Sequence, residues 1–175
     1  WIYLVPRAIL ASMWVSNPYD KDVSKYDQVI MILDDVKIQK LNLVLFERTK
    51  SEYKLDILSA SVFNSSHPRL MEIFPEGKTA KTDCSAEMFF YLMDPQSFHR
   101  YISIQDPENP WMWGVDFLLK HIGFRIGISR KCTCLHMFKN LDKESGQKHR
   151  DMLNYLDKNF PALKKKVLDS IKNQE

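Results

Sequence analysis

The stretch that most constrains this chain is Tyr26-Asp-Gln-Val-Ile-Met-Ile-Leu-Asp-Asp-Val-Lys-Ile38. An unbroken apolar run, Val29 to Leu33, stops at two carboxylates, Asp34 and Asp35, before hydrophobic sequence resumes. A short, solidly apolar run with β-branched residues reads as a strand buried on both faces. Asp forms strands poorly, and an unpartnered buried carboxylate is costly, so the pair belongs at the strand's carboxyl end. In open α/β sheets ligands bind at that edge. The pair is therefore a candidate site for a divalent cation and, through it, a phosphorylated substrate. Duty as a turn or a helix N-cap is the plain alternative for two adjacent Asp residues.

The rest of the chain narrows what that strand can belong to. Its 175 residues suffice for one domain with a real core. There are only five Gly and none of the glycine patterns that cradle nucleotide phosphates. The net charge of +3 has its signs interspersed, which does not argue for nucleic acid and suits an anionic substrate. No apolar run reaches the length of a membrane span, and no secretory signal is visible. Three Cys, an odd number, do not make a disulfide framework and point to a reducing, cytoplasmic setting. The chain opens on Trp1 within what reads as a structured segment, so further residues are expected before it.

Strand and helix patterns alternate along the chain, which predicts a single α/β domain. Residues 1–14 read as a short strand or loop and then a helix, with Pro6 in its first turn. Residues 16–20 carry turn chemistry. Ile38 to Leu45 is expected to begin helical and finish as a strand, with Glu47 to Lys54 as a polar link. Leu55 to Phe63 reads as a second buried strand, followed by a loop, Asn64-Ser-Ser-His-Pro68, whose His67 could reach the same mouth. Residues 72–85 read as an exposed loop or hairpin, Ala86 to Met93 as a strand, and Asp94 to Ser103 as a short helix. Trp111 to Gly123 reads as a loop opening a helix, and Phe124 to Ile128 as a strand. Leu153, Leu156, Phe160, Leu163, Val167 and Ile171 recur at helical spacing, divided into two helices by Pro161. Lys164-Lys-Lys166 is a solvated helix face.

Two more features carry chemistry. Trp113-Gly-Val-Asp116 sets an acid beside a tight glycine turn at a helix start, where it could equally serve as a cap. His136 closes an alternating segment, Cys132-x-Cys134-x-His136. An apolar strand ending in carboxylates, then Trp-Gly-x-Asp opening a helix, then a strand and a His, resembles a nucleotide-sugar glycosyltransferase of the GT-A fold. Residues 55–139 also resemble a little-characterised glycosyltransferase-like family of plants and bacteria. The likeness covers about residues 24–140.

That resemblance implies an α/β fold: a single GT-A-like mixed sheet flanked by helices, with a C-terminal helical segment. Residues 1–140 would form the catalytic domain, and 141–175 helices packed on it. It implies that Asp35 and His136 hold Mn²⁺ or Mg²⁺, which bridges the donor diphosphate. The first acidic position of the family's Asp-x-Asp motif is Leu33 here, so Asp34 would take any contact to ribose or sugar. Arg7 and His67 are further donor-binding candidates. Asp116 would be the catalytic base of an inverting transfer, and Trp111 and Trp113 would face the acceptor or pack in the core. The implied partners are a nucleotide-diphosphate sugar, UDP-linked above all, and a saccharide or glycan acceptor, with no nucleic acid and no membrane span. Open alternatives are a metal-dependent phosphohydrolase or nuclease using the same carboxylates, and a non-enzymatic α/β binding module with a zinc site of Cys84, Cys132, Cys134 and His136.

Overall fold

Strands that are apolar on both faces need cover on both faces, and the computed structural model provides it with a mixed sheet and helices. It describes the backbone of residues 2–5 and the whole of residues 23–33, 35–64, 79–137 and 146–173, with the backbone of 145. The strands are β1 (Ile2–Val5), β2 (Val29–Leu33), β3 (Val36–Leu41), β4 (Ile57–Phe63), β5 (Ala80–Thr82), β6 (Phe90–Met93) and β7 (Ile126–His136). They form one sheet in the order β1-β2-β6-β4-β7-β3, with β5 also on β7. The described α-helices are α1 (Leu43–Glu52), α2 (Pro95–Ile102), α3 (Val115–His121), α4 (Ser145–Asn159) and α5 (Lys164–Lys172).

Pairing directions set the position of the site. β1 is parallel to β2, β4 is parallel to β7, and β6 runs antiparallel between β2 and β4. Strands β1, β2, β4 and β7 therefore point the same way and open their carboxyl ends on one edge of the sheet. Strand β7 is long enough to change partners. Beside β4 on either side of a register break, it pairs on its other side first with β5 and then with β3. Between Ala60 and Ser61 the β4–β7 register jumps from Ser129 to Thr133.

All of β2 and β6 is buried, and β4 is buried through Val62. Phe46 of α1 meets Phe90 edge-on at 5.8 Å. Asp94 caps α2, accepting from Ser97 N at 2.8 Å. The C-terminal helices share the same core, through Met152, Tyr155, Leu156 and Val167. The Tyr155 hydroxyl also donates to the Ile104 carbonyl at 2.6 Å. The chain is thus one mixed α/β domain, with Pro161 separating α4 from α5 as expected.

Three expectations are corrected. The Ile38–Leu45 segment runs the other way round, strand first and then helix. Alternate residues of β3 are half-buried up to its bulge, and Asn42 then starts α1 by accepting from Leu45 N at 3.1 Å. The expected polar link over Glu47 to Lys54 is consequently most of that helix. Residues 80–82, expected in an exposed loop or hairpin, are strand β5, and Ala80, Cys84 and Ser85 are buried. The expected helix after Pro6 and the turn at 16–20 lie outside the described residues.

Because Phe46 is fully buried against the sheet, Phe46→Ala is expected to cost about 3–5 kcal/mol. A lowered urea midpoint with an unchanged slope checks it.

Candidate functional site

The carboxyl edge gathers Asp35 and His136, which lie 101 positions apart in the chain. Asp35 follows β2, and its carbonyl accepts from Met137 N at 2.8 Å, while Val36 pairs with His136. His136 Nε2 lies 3.1 Å from Asp35 Oδ2. The imidazole is only 2% exposed and the Asp35 side chain 12%. Asn64, just past β4, completes the corner. Its carbonyl faces His136 Nδ1 at 3.4 Å, and its side-chain amide donates to the His136 carbonyl at 3.1 Å. The Phe89 ring lies 4.5 Å from the imidazole ring.

Both ring nitrogens of His136 thus face oxygen acceptors. A neutral imidazole carries one N–H and satisfies one of them. With that N–H on Nε2 the ring donates to Asp35 at 3.1 Å; with it on Nδ1, toward Asn64 at 3.4 Å, the Nε2 lone pair faces the carboxylate, an arrangement that a bound cation would satisfy. A metal-ligating His is commonly held in this way, its far nitrogen donating to a carbonyl. A donor set of one carboxylate oxygen and one imidazole nitrogen, completed by substrate phosphates, fits Mn²⁺ better than Mg²⁺, whose usual ligands are all oxygens. Among the described residues no group of three or more His, Cys, Asp or Glu side chains is placed to hold a metal ion. Asp34, Arg7 and His67 lie outside the described residues.

Asp116 is the second candidate group. The chain enters α3 through tight turns in which Asn109 donates its amide to the Trp113 carbonyl at 3.0 Å. Met112 N bonds Asn109 O at 2.9 Å, and Val115 N bonds Met112 O at 3.1 Å. Gly114 has φ of 76°, and a Cβ there would lie 2.6 Å from Met152 Sδ and 2.9 Å from its Cγ. Only glycine suits both the left-handed backbone and the close approach of α4. Asp116 follows in the first helical turn, buried, its Oδ1 accepting from Phe117 N at 3.1 Å. Burial, and then the neighbouring charge of Glu87, push its carboxyl up to about 8.

Glu87 is a further candidate that the sequence pattern passed over. It is buried just before β6, on a segment whose Phe89 touches His136 and whose own charge is felt at Asp116. Residues 87–89 therefore link the two candidate groups. The signal was an acid inside an otherwise apolar stretch, Ala86-Glu-Met-Phe-Phe90.

The tryptophans divide. Trp113 is 38% exposed. Trp111 is half-buried with the Lys148 ammonium 4.1 Å above its ring.

The zinc constellation does not assemble among these residues. Cys132 and Cys134 share the buried face of β7 with their sulfurs 4.0 Å apart. Their mutual hydrogen bond and then burial raise the Cys132 thiol, and burial pushes Cys84 up to about 11. All three thiols are buried, and His136 is engaged with Asp35 and Asn64 instead.

The opposite edge shows what a structural carboxylate looks like here. Burial works against the charge of Asp56, yet the hydrogen bonds and charge of Arg125 outweigh it and hold that carboxyl low. Burial likewise opposes the charge of Asp94, and the Ser97 amide, followed by Lys50 at 3.0 Å, holds that carboxyl low.

No known family model matches the chain, and a search of curated proteins found no match.

Two outcomes follow. Asp116 binds its proton more tightly folded than unfolded, so it lowers stability as pH rises from about 4 to about 8, by about 1.4 kcal/mol per pH unit. Asp116→Asn should therefore be more stable than the parent near pH 8, with the gain vanishing toward pH 4, by urea unfolding at both values. Gly114→Ala should cost about 2 kcal/mol through strain and overpacking against Met152, read as a lowered melting temperature.

Proposed function

We propose that this chain is the catalytic domain of a metal-dependent glycosyltransferase of the GT-A kind, moving a sugar from a nucleotide-diphosphate sugar, UDP-linked above all, to a hydroxyl of a saccharide or glycan acceptor. The observation that carries this reading is the 3.1 Å contact of His136 Nε2 with Asp35 Oδ2 at the carboxyl edge, with Asn64 behind the ring. That is the pairing the sequence resemblance requires of its metal ligands, and at that edge a parallel sheet binds its ligands.

In this reading Asp35 and His136 hold Mn²⁺ or Mg²⁺ together with the donor phosphates. When bound, the ion neutralises charge on the departing diphosphate. Asp116 takes the proton of the acceptor hydroxyl as that oxygen attacks the anomeric carbon. One carbon–oxygen bond forms while the bond to the diphosphate breaks, and the configuration inverts. A carboxyl with a pKa near 8 is a stronger base than an exposed Asp and must first lose its own proton. Trp113 offers an apolar face for the acceptor ring.

Thermal-shift measurements with UDP-, GDP- and dTDP-sugars, with and without Mn²⁺, test the donor end. Metal-dependent stabilisation by one of them is expected, and its loss in Asp35→Asn and in His136→Ala. Stabilisation by none would overturn the proposal. Asp116→Asn should keep that donor-dependent shift and lose about a hundredfold or more in transfer rate. The parent rate should rise with pH up to about 8 as Asp116 ionises. Full activity in Asp116→Asn, with release of nucleotide that needs no acceptor, would mark a phosphohydrolase.

A further inference from the structure

At the far end of β3 from Asp35, the first turn of α1 turns three aliphatic residues outward. Leu43 is 38%, Val44 73% and Leu45 36% exposed, while Phe46 behind them is fully buried. Two irregularities of the sheet set cations around this turn. The β4–β7 register jump leaves residues 130–132 without β4 partners, at the seam where β7 passes from β5 to β3. Arg130 is exposed there and Lys131 half-exposed, and Asn42 N, at the start of α1, bonds the Lys131 carbonyl at 3.1 Å. A second register shift, between Ile38 and Lys40, leaves Lys40 exposed, and Arg48 is exposed one turn along α1. In residues 36–48 and 129–133 the lone carboxylate is the half-buried Glu47.

We infer that this face docks peripherally on an anionic lipid bilayer, with Leu43 and Val44 entering the acyl boundary while Lys40, Arg48 and Lys131 meet the headgroups. An apolar tip ringed by cations is what such a surface rewards twice, by burial of the tip and by attraction to the leaflet. Lys and Arg reach the headgroup plane over their own aliphatic stems. Three aliphatic side chains fall well short of the roughly 800 Å² per partner of a stable protein interface, so a lipid surface fits them better. No helix among the described residues is long and apolar enough to cross a membrane, so attachment here is to the surface. The six residues of β3 separate this face from Asp35 by about 20 Å, and docking leaves the carboxyl edge open. Nothing in the inference depends on the reaction proposed above.

Co-sedimentation of the full chain with phosphatidylcholine vesicles, with and without phosphatidylserine, tests it. Pelleting with the anionic vesicles alone, reversed by high salt, is expected. Val44→Asp should lower the partition about tenfold and Lys131→Glu about twentyfold. An acid in the first turn favours a helix, so the circular dichroism of Val44→Asp should match the parent. No pelleting, equal pelleting on neutral vesicles, or equal pelleting of Val44→Asp would overturn the inference. So would a homodimer in sedimentation velocity that Val44→Asp dissolves, since the patch would then bind a second copy.

Discussion

The parallel pairing of β4 with β7 is the interaction on which the rest depends. Parallel neighbours need a long connection, and here that connection supplies β5, β6, α2 and α3, and with them Glu87 and Asp116. The register jump lets β7 finish beside β3, and the pairing of Val36 with His136 brings the imidazole to Asp35. The same jump turns Arg130 and Lys131 out beside the first turn of α1. One irregularity thus shapes both the candidate site and the basic, apolar-tipped face.

The sheet treats its carboxylates differently at its two edges. Asp56 and Asp94 each have a cation within hydrogen-bond distance, and ionisation there stabilises the fold. Asp116 has a backbone amide, another acid nearby and little water, and ionisation there works against the fold. Groups that lower stability in this way concentrate at sites with chemical work. Gly114 extends that dependence to the C-terminal helices, because its missing side chain lets Met152 of α4 pack against the turn that presents Asp116.

Much of the fold was legible where burial acts on both faces of one element. Val29–Leu33 reads as a strand from its own residues because water is excluded on either side. Asp94-Pro95 and Pro161 punctuate helices through backbone chemistry that needs no partner. Helix α1 was illegible because its first turn exposes Leu43, Val44 and Leu45, so its apolar residues do not mark its buried side. Strand β5 has three residues and exists through its pairing with β7. Glu87 gave only the signal of an acid in an apolar stretch, since its role depends on which helix end folds beside it.

The residues alone determined that a buried strand would end in carboxylates, that Trp113-Gly-Val-Asp116 would open a helix, and that Cys132, Cys134 and His136 alternate along one segment. These follow from local periodicity and from the cost of burying charge. Only the tertiary structure decided that His136 turns to Asp35 rather than to the cysteines, and that Asp116 rather than Asp56 loses its water without gaining a cation. Partners so far apart in the chain are chosen by strand order and register, and a local pattern carries no record of either.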